Sequence, residues 1–124
     1  MMKSAKLRTM SVNALAELFT RFALQQDEAV LACDVKETNR LFWKLEEVEG
    51  ELKSRPGDQR HALLPLLGHP NPQVQVKAAK ATLAIAPAAA RQVLETIAET
   101  CYGPQKLEAG MSLVNLDRGI YKPT

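Results

Sequence analysis

The sequence predicts an all-α protein, a short stack of antiparallel helical hairpins with about five to six helices. Three observations carry this. Leu and Ala dominate an apolar fraction of 46% in which aromatics supply only 5%; such residues favour helix, whereas β-branched and aromatic ones favour strand. Apolar residues recur at steps of three and four through most of the chain, the period of a helix with one buried face. Clusters of Pro and Gly then cut the pattern into pieces of helical length. At 124 residues and 13.7 kDa the chain is long enough to bury about two thirds of its unfolded surface around one core. Residues 1–10 read as a flexible basic N-terminus and 11–124 as a single helical domain.

The first helix is predicted over about Ser11 to Leu31. Ser11 offers a capping hydroxyl, and Val12, Leu15, Phe19, Phe22, Ala23 and Val30 draw one apolar stripe opposite Glu17, Arg21 and Glu28. The pattern allows a break near Gln26-Asp27. It restarts around Cys33-Asp34 with Asp34 as a cap, and Leu41, Leu45, Val48 and Leu52 hold a strict i, i+4, i+7, i+11 rhythm that defines the cleanest helix of the chain. Its end is expected near Lys53, because Pro56 and Gly57 break the helix and Asp58 can cap the next.

A third helix over about Gln59 to Leu67 would bury Leu63, Leu64 and Leu67, with Pro65 tolerated if the helix is short or kinked. In the following turn Gly68 can close a helix in the left-handed conformation. Pro70 then holds His69 extended, Asn71 can cap, and Pro72 suits a first helical position, where its missing N–H costs nothing. Beyond it, Val74, Ala78, Ala81 and Ile85 fall on one face and Val76, Ala79 and Leu83 on nearly the opposite one. A helix apolar on two sides must be sandwiched between others, and this favours stacked hairpins over the rival three- or four-helix bundle. Pro87 separates it from a helix with Ala90, Val93, Leu94, Ile97 and Cys101 inside. Gly103-Pro104 precedes a last helix with Leu107, Met111 and Val114 as its expected inner face, stopped at Gly119, with Ile120 and Tyr121 folding back.

The run Leu66-Leu67-Gly68-His69-Pro70-Asn71-Pro72-Gln73-Val74, followed by Ala78, Ala79 and Leu83, resembles a HEAT repeat, in which a leucine-rich helix passes through an Asp-Pro-type turn into V-R-x-x-A-A…L. His69 stands where an Asp is common and Gln75 where an Arg is common, two residues that in that family often join into a ladder between repeats. From "SVNALAELF" through "ETNRLFWKL" and "RHALLPLLGHPNPQV" to "AGMSLVNLDRGIYKP", about Ser11 to Pro123, the chain is similar to a small bacterial family of uncharacterised armadillo/HEAT-like domains. The resemblance implies an all-α curved fold and carries no established activity, cofactor or catalytic residue.

Chemistry-bearing residues are sparse. His61 and His69 are the only histidines, and no ligand-spaced cluster accompanies them, whereas a metal site wants three or four converging donors; His69 reads as a turn residue. Cys33 and Cys101 lack C-x-x-C spacing, as suits two buried, reduced thiols in a cytoplasmic protein, a long-range disulfide being the alternative. Glu46, Glu47, Glu49 and Glu51 alternate with a core stripe and read as the solvated side of a helix. No enzymatic activity, metal or cofactor is therefore expected.

Trp43 stands out. It projects about 200° from Leu41, beside Lys36, Arg40 and Glu47 rather than with the stripe. Tryptophan with arginine is common anchor chemistry at interfaces, so this face is read either as a partner-binding surface or as a face covered by another helix or the C-terminal tail. The resulting expectation is a non-catalytic module that binds a protein partner or a copy of itself. The alternative is a domain that binds nucleic-acid backbones through a basic edge of Lys77, Lys80 and Arg91. Bulk charge argues neither way, since 16 basic and 14 acidic residues leave a net +2, although Lys3, Lys6 and Arg8 precede the first acid, Glu17. No apolar run nears the roughly 20 residues a membrane span needs, and the N-terminus lacks the apolar segment of a secretion signal.

Overall fold

The structure, a computed structural model, describes residues 6–124; Met1 to Ala5, including Lys3 of the basic N-terminus, lie outside the described residues. All regular structure among the described residues is helical: α1 (Val12–Leu31), α2 (Val35–Ser54), a 3-10 helix (Gln59–Gly68), α3 (Pro72–Thr82), α4 (Pro87–Thr100) and α5 (Pro104–Asp117). Two compact units divide the chain, one ending at Ala62 and one starting at Leu63.

In the first unit α1 and α2 form an antiparallel pair. Ser11 caps α1, its hydroxyl accepting from the Ala14 N–H at 3.0 Å, and Asp34 caps α2 by accepting from the Glu37 N–H at 3.0 Å. Leu15, Phe19 and Ala23 of α1 and Leu41, Leu45, Val48 and Leu52 of α2 are buried, each large side chain contributing about 1.5–3 kcal/mol by leaving water. No break occurs at Gln26-Asp27. Gln26 is buried on the same face and donates its Nε2–H to the Thr38 carbonyl at 3.1 Å, so a polar residue inside the stripe ties α1 to α2. Before α1, residues 6–8 make a helical turn with Leu7 buried. Arg55 fastens this turn, its Nη2 donating to the Leu7 and Met10 carbonyls at 3.0 and 2.7 Å while its Nε donates to Glu51 at 2.9 Å. Glu51 thus departs from the expected solvated acids: its side chain is only 11% exposed.

Between α1 and α2, Cys33 has φ +56°. The Asp34 N–H reaches back to the Ala29 carbonyl and the Cys33 N–H to that of Val30, the closure that ordinarily places glycine in the left-handed position. Cys33 is exposed, which corrects the expectation of a buried thiol: the residue sits where chain reversal, not packing, sets the geometry. Replacing it with glycine removes a left-handed penalty of about 1–2 kcal/mol at the cost of added freedom in the unfolded chain. Cys33→Gly should therefore raise the urea unfolding free energy by about 0.5–1 kcal/mol; a destabilisation would refute this account of the turn.

The segment after α2 is a 3-10 helix rather than a short α-helix. Pro65 inside it has no N–H to give an i−4 carbonyl, and its ring obstructs α-helical bonding. Leu63 is buried, while Leu64 and Leu67 are half-buried. Gly68 does not take the left-handed conformation, which falls instead to Gly57, Gly103 and Gly119 among the glycines. The reason is visible in the bonding: the His69 N–H still reaches the Leu66 carbonyl at 3.1 Å, so the tight helical pattern runs through Gly68.

In the second unit Asn71 caps α3, accepting from the Gln73 and Val74 N–H groups, and Pro72 occupies the first turn. α3 pairs with α4 and α4 with α5, in sequential antiparallel fashion. Val76 and Ala79 of α3, Leu83 just past its end, Ala90, Leu94 and Ile97 of α4 and Ala109 of α5 form one apolar cluster, with Val93, Cys101, Leu113 and Leu116 packed against it. Val74, Ala78, Ala81 and Thr82 are buried as well, so both flanks of α3 leave water as the two-sided pattern predicts; Ile85, beyond its end, is half-buried. Gly119, at φ +70°, stops α5, and the Ile120 and Tyr121 N–H groups fold back onto the Asn115 carbonyl at 2.9 and 3.1 Å.

The rotation of α5 corrects the sequence reading. Leu107, Met111 and Val114, expected inside, are 68%, 66% and 47% exposed. Buried in their place are Ala109 and Ser112. Two polar tethers hold this face inward: Gln105 donates to Gln73 at 2.9 Å, and Glu108 accepts from Lys77 and Lys80 at 2.8 and 3.1 Å. Small residues at 109 and 112 let backbones approach closely, which bulkier Leu and Met would prevent.

Candidate interaction surface

On α2, Lys36, Arg40, Trp43 and Glu47 recur at i, i+4, i+7 and i+11 and so share one face. The core residues of the same helix, Leu41, Leu45, Val48 and Leu52, are fully turned inward, which fixes this stripe outward. Trp43 is 63% exposed and meets the ring of Phe42 edge to face, centroids 5.0 Å apart. It is left uncovered. Arg40 forms a fork with Glu37, Nε to Oε1 at 2.8 Å and Nη2 to Oε2 at 2.9 Å. That hydrogen-bonded pair holds the Glu37 carboxyl below its ordinary range and raises the Arg40 guanidinium, so the cation next to Trp43's turn is paired, with both partners still in solvent. Lys36 is exposed and Glu47 half-buried. Glu47 also borders a groove of about 240 Å³ floored by Leu7, Leu18, Phe22 and Val48, with Lys6, Arg21 and Lys44 on its lining.

Other exposed apolar side chains in this unit were not singled out in the sequence. Phe42 at 37% lies next to Trp43, and Leu31 and Val35 flank the Cys33 turn, both largely exposed. For Leu31 and Val35 the signal was available, since each falls off the Leu15–Phe19 or Leu41–Leu52 stripe by about a third of a turn, whereas Phe42 lies only about a quarter of a turn from the centre of its stripe.

The basic edge is differently disposed. Lys77 and Lys80 converge on Glu108, whose burial disfavours its charge but whose attraction to the two ammonium groups prevails, lowering its pKa overall. Arg91 is held by Asp117 at 3.0 Å and Glu95 at 3.0 Å, and its pKa is raised by those bonds. The three cations are thus joined to three carboxylates of the same unit.

Both histidines engage backbone groups of their own turns. His69 Nδ1 accepts from the Asn71 N–H at 3.0 Å, and His61 Nδ1 lies 3.1 Å from the Asp58 carbonyl. Gln75 donates to the Leu67 carbonyl at 3.0 Å. Both positions that depart from the HEAT pattern are therefore spent within their own turn. Cys33 and Cys101 are free thiols, the latter half-buried. Among the described residues no three His, Cys, Asp or Glu side chains gather as a metal site would need, and no helix is long and apolar enough to cross a membrane.

Residues 13–117 match the family model described as "Domain of unknown function (DUF2019)". The fold is similar to the crystal structure of the protein RPA1889 from Rhodopseudomonas palustris CGA009, with a TM-score of 0.92 and 46% identity, over 95% of this chain and 98% of that one. No curated protein matches the chain.

Proposed function

Since the chain belongs to the family of the domain of unknown function DUF2019, which brings no activity with it, we propose from geometry that it is a non-catalytic, armadillo/HEAT-like interaction module that binds a protein partner or a second copy of itself. The observation that carries the reading is Trp43, 63% exposed beside Phe42 on a helix whose opposite face is fully buried. A large aromatic left in water next to an arginine has the composition of an interface anchor, because it brings apolar area with little rotamer entropy to lose. Lys36 and Glu47 would frame this anchor. The nucleic-acid alternative gains nothing from the geometry, because Lys77, Lys80 and Arg91 would have to leave Glu108, Glu95 and Asp117 to reach phosphates.

The double variant Trp43→Ala, Arg40→Ala should weaken partner capture from the native cell, or dimerisation in sedimentation, by at least about tenfold, with the helical circular dichroism and melting temperature kept. Loss of fold would instead make Trp43 a core residue. Salt-sensitive binding of generic DNA or RNA by the wild type would favour the basic-edge reading.

A further inference from the structure

The exposed stripe of α5 is a second surface, on a different unit from Trp43. Leu107, Met111 and Val114 follow one another at i, i+4 and i+7, and each keeps about half or more of its surface in water. With Ala98 of α4 and Gly110 they line an open groove of about 400 Å³. Nothing about core formation requires these side chains, since Ala109 and Ser112 make the buried face. A contiguous apolar groove on an amphipathic helix is the usual receptor for another helix laid along it.

A cation stands at each end of the groove. Arg118 continues the same face at i+11, and Lys106, at the other end, lines the groove while one of its ammonium hydrogens is donated to the Ala98 carbonyl. Lys122 follows in the exposed tail. Of the acids on α4 and α5, Glu108 is held by Lys77 and Lys80 and Glu95 by Arg91, and Asp117, though exposed, shares that same Arg91, so Glu99 and Asp117 are the exposed acids near the stripe and the second is already balanced by a cation. A second copy of this chain would bring the same cations to the same ends. We infer that the Leu107–Met111–Val114 face of α5 docks an acidic amphipathic helix of a partner protein, its apolar side chains in the groove and its carboxylates on Lys106 and Arg118.

The test uses the full chain and two fluorescent synthetic helices, each with leucines at i, i+4, i+7 and i+11, one carrying glutamates and the other lysines at all flanking positions. The glutamate helix should bind at least about tenfold more tightly than the lysine helix, and less tightly as salt rises. Met111→Asp should weaken it by at least about tenfold, and Lys106→Glu with Arg118→Glu should reverse the preference. These side chains are exposed, so circular dichroism should stay that of the wild type, and Trp43→Ala should leave peptide binding unchanged. Equal binding of both helices, no binding of either, or insensitivity to Met111→Asp would overturn the proposal. So would a dimer of the chain alone that Met111→Asp dissolves, which would assign the face to a second copy.

Discussion

Leu94→Ala lowers the unfolding free energy by about 3–4 kcal/mol, while Leu107→Ala, the same chemical change one helix away, alters it by less than about 0.5 kcal/mol. Leu94 has no exposed surface and lies in the cluster of Val76, Ala79, Leu83, Ala90, Ile97 and Ala109. Truncation removes the transfer free energy of the lost carbons and leaves a void. Three of those six neighbours are alanines, which have no rotatable side chain to swing into the void, so little of it closes and the cost falls in the middle or upper part of the usual range. Leu107 is exposed and loses little burial on truncation. Urea titrations followed by helical circular dichroism measure both. Similar losses for the two variants would mean that α5 is turned the other way, with its Leu–Met–Val stripe inside.

Asp58→Asn costs about 2 kcal/mol at neutral pH, and the cost fades as the solution is acidified. Asp58 sits at φ +53° in the turn after α2, a conformation that asparagine also tolerates, so the substitution tests the charge and not the backbone. Its carboxylate takes Nε and Nη2 of Arg60 at 2.8 and 2.6 Å. The Arg60 side chain is only 4% exposed, whereas Asp58 keeps 31% of its own in solvent. Asparagine removes the negative charge that faces a largely buried cation, and the partial exposure of the acid keeps the expected loss below that of a fully buried pair. The Arg60 hydrogen bonds lower the Asp58 pKa to about 2, against about 3.9 when unfolded. A depressed carboxyl contributes its stability in full above the unfolded value and loses it as pH falls through the folded one. The difference between wild type and variant should therefore be constant from neutrality to about pH 4 and shrink between about 4 and 2. Urea titrations at stepped pH read it; a difference independent of pH across that window would show that the charge is not what binds Arg60.

Helix ends were legible in the sequence because they are made locally. Ser11, Asp34, Asn71 with Pro72, and Gly119 each act on backbone groups within a few residues, so residue type and position suffice to place them. The inward faces of α1, α2, α3 and α4 were legible too, since on each the large apolar residues repeat at helical spacing. For the candidate surface, the same spacing placed Trp43 opposite Leu41, and the pattern that buries Leu41, Leu45, Val48 and Leu52 sets its direction. Its neighbour Phe42 went unnoticed, because a residue at the margin of a stripe has no periodic signature of its own.

What tertiary structure alone decided is the rotation of α5. Two stripes repeat on that helix, Leu107–Met111–Val114 and Gln105–Glu108–Ala109–Ser112, and hydropathy ranks the first as the core. The second is chosen because Gln73, Lys77 and Lys80 on α3 supply partners for Gln105 and Glu108, and because alanine and serine permit a helix approach that leucine and methionine would block. Sequence periodicity determines that an element has faces and where it ends. Which face turns inward depends on what lies across from it, and that is a property of residues about 30 positions away.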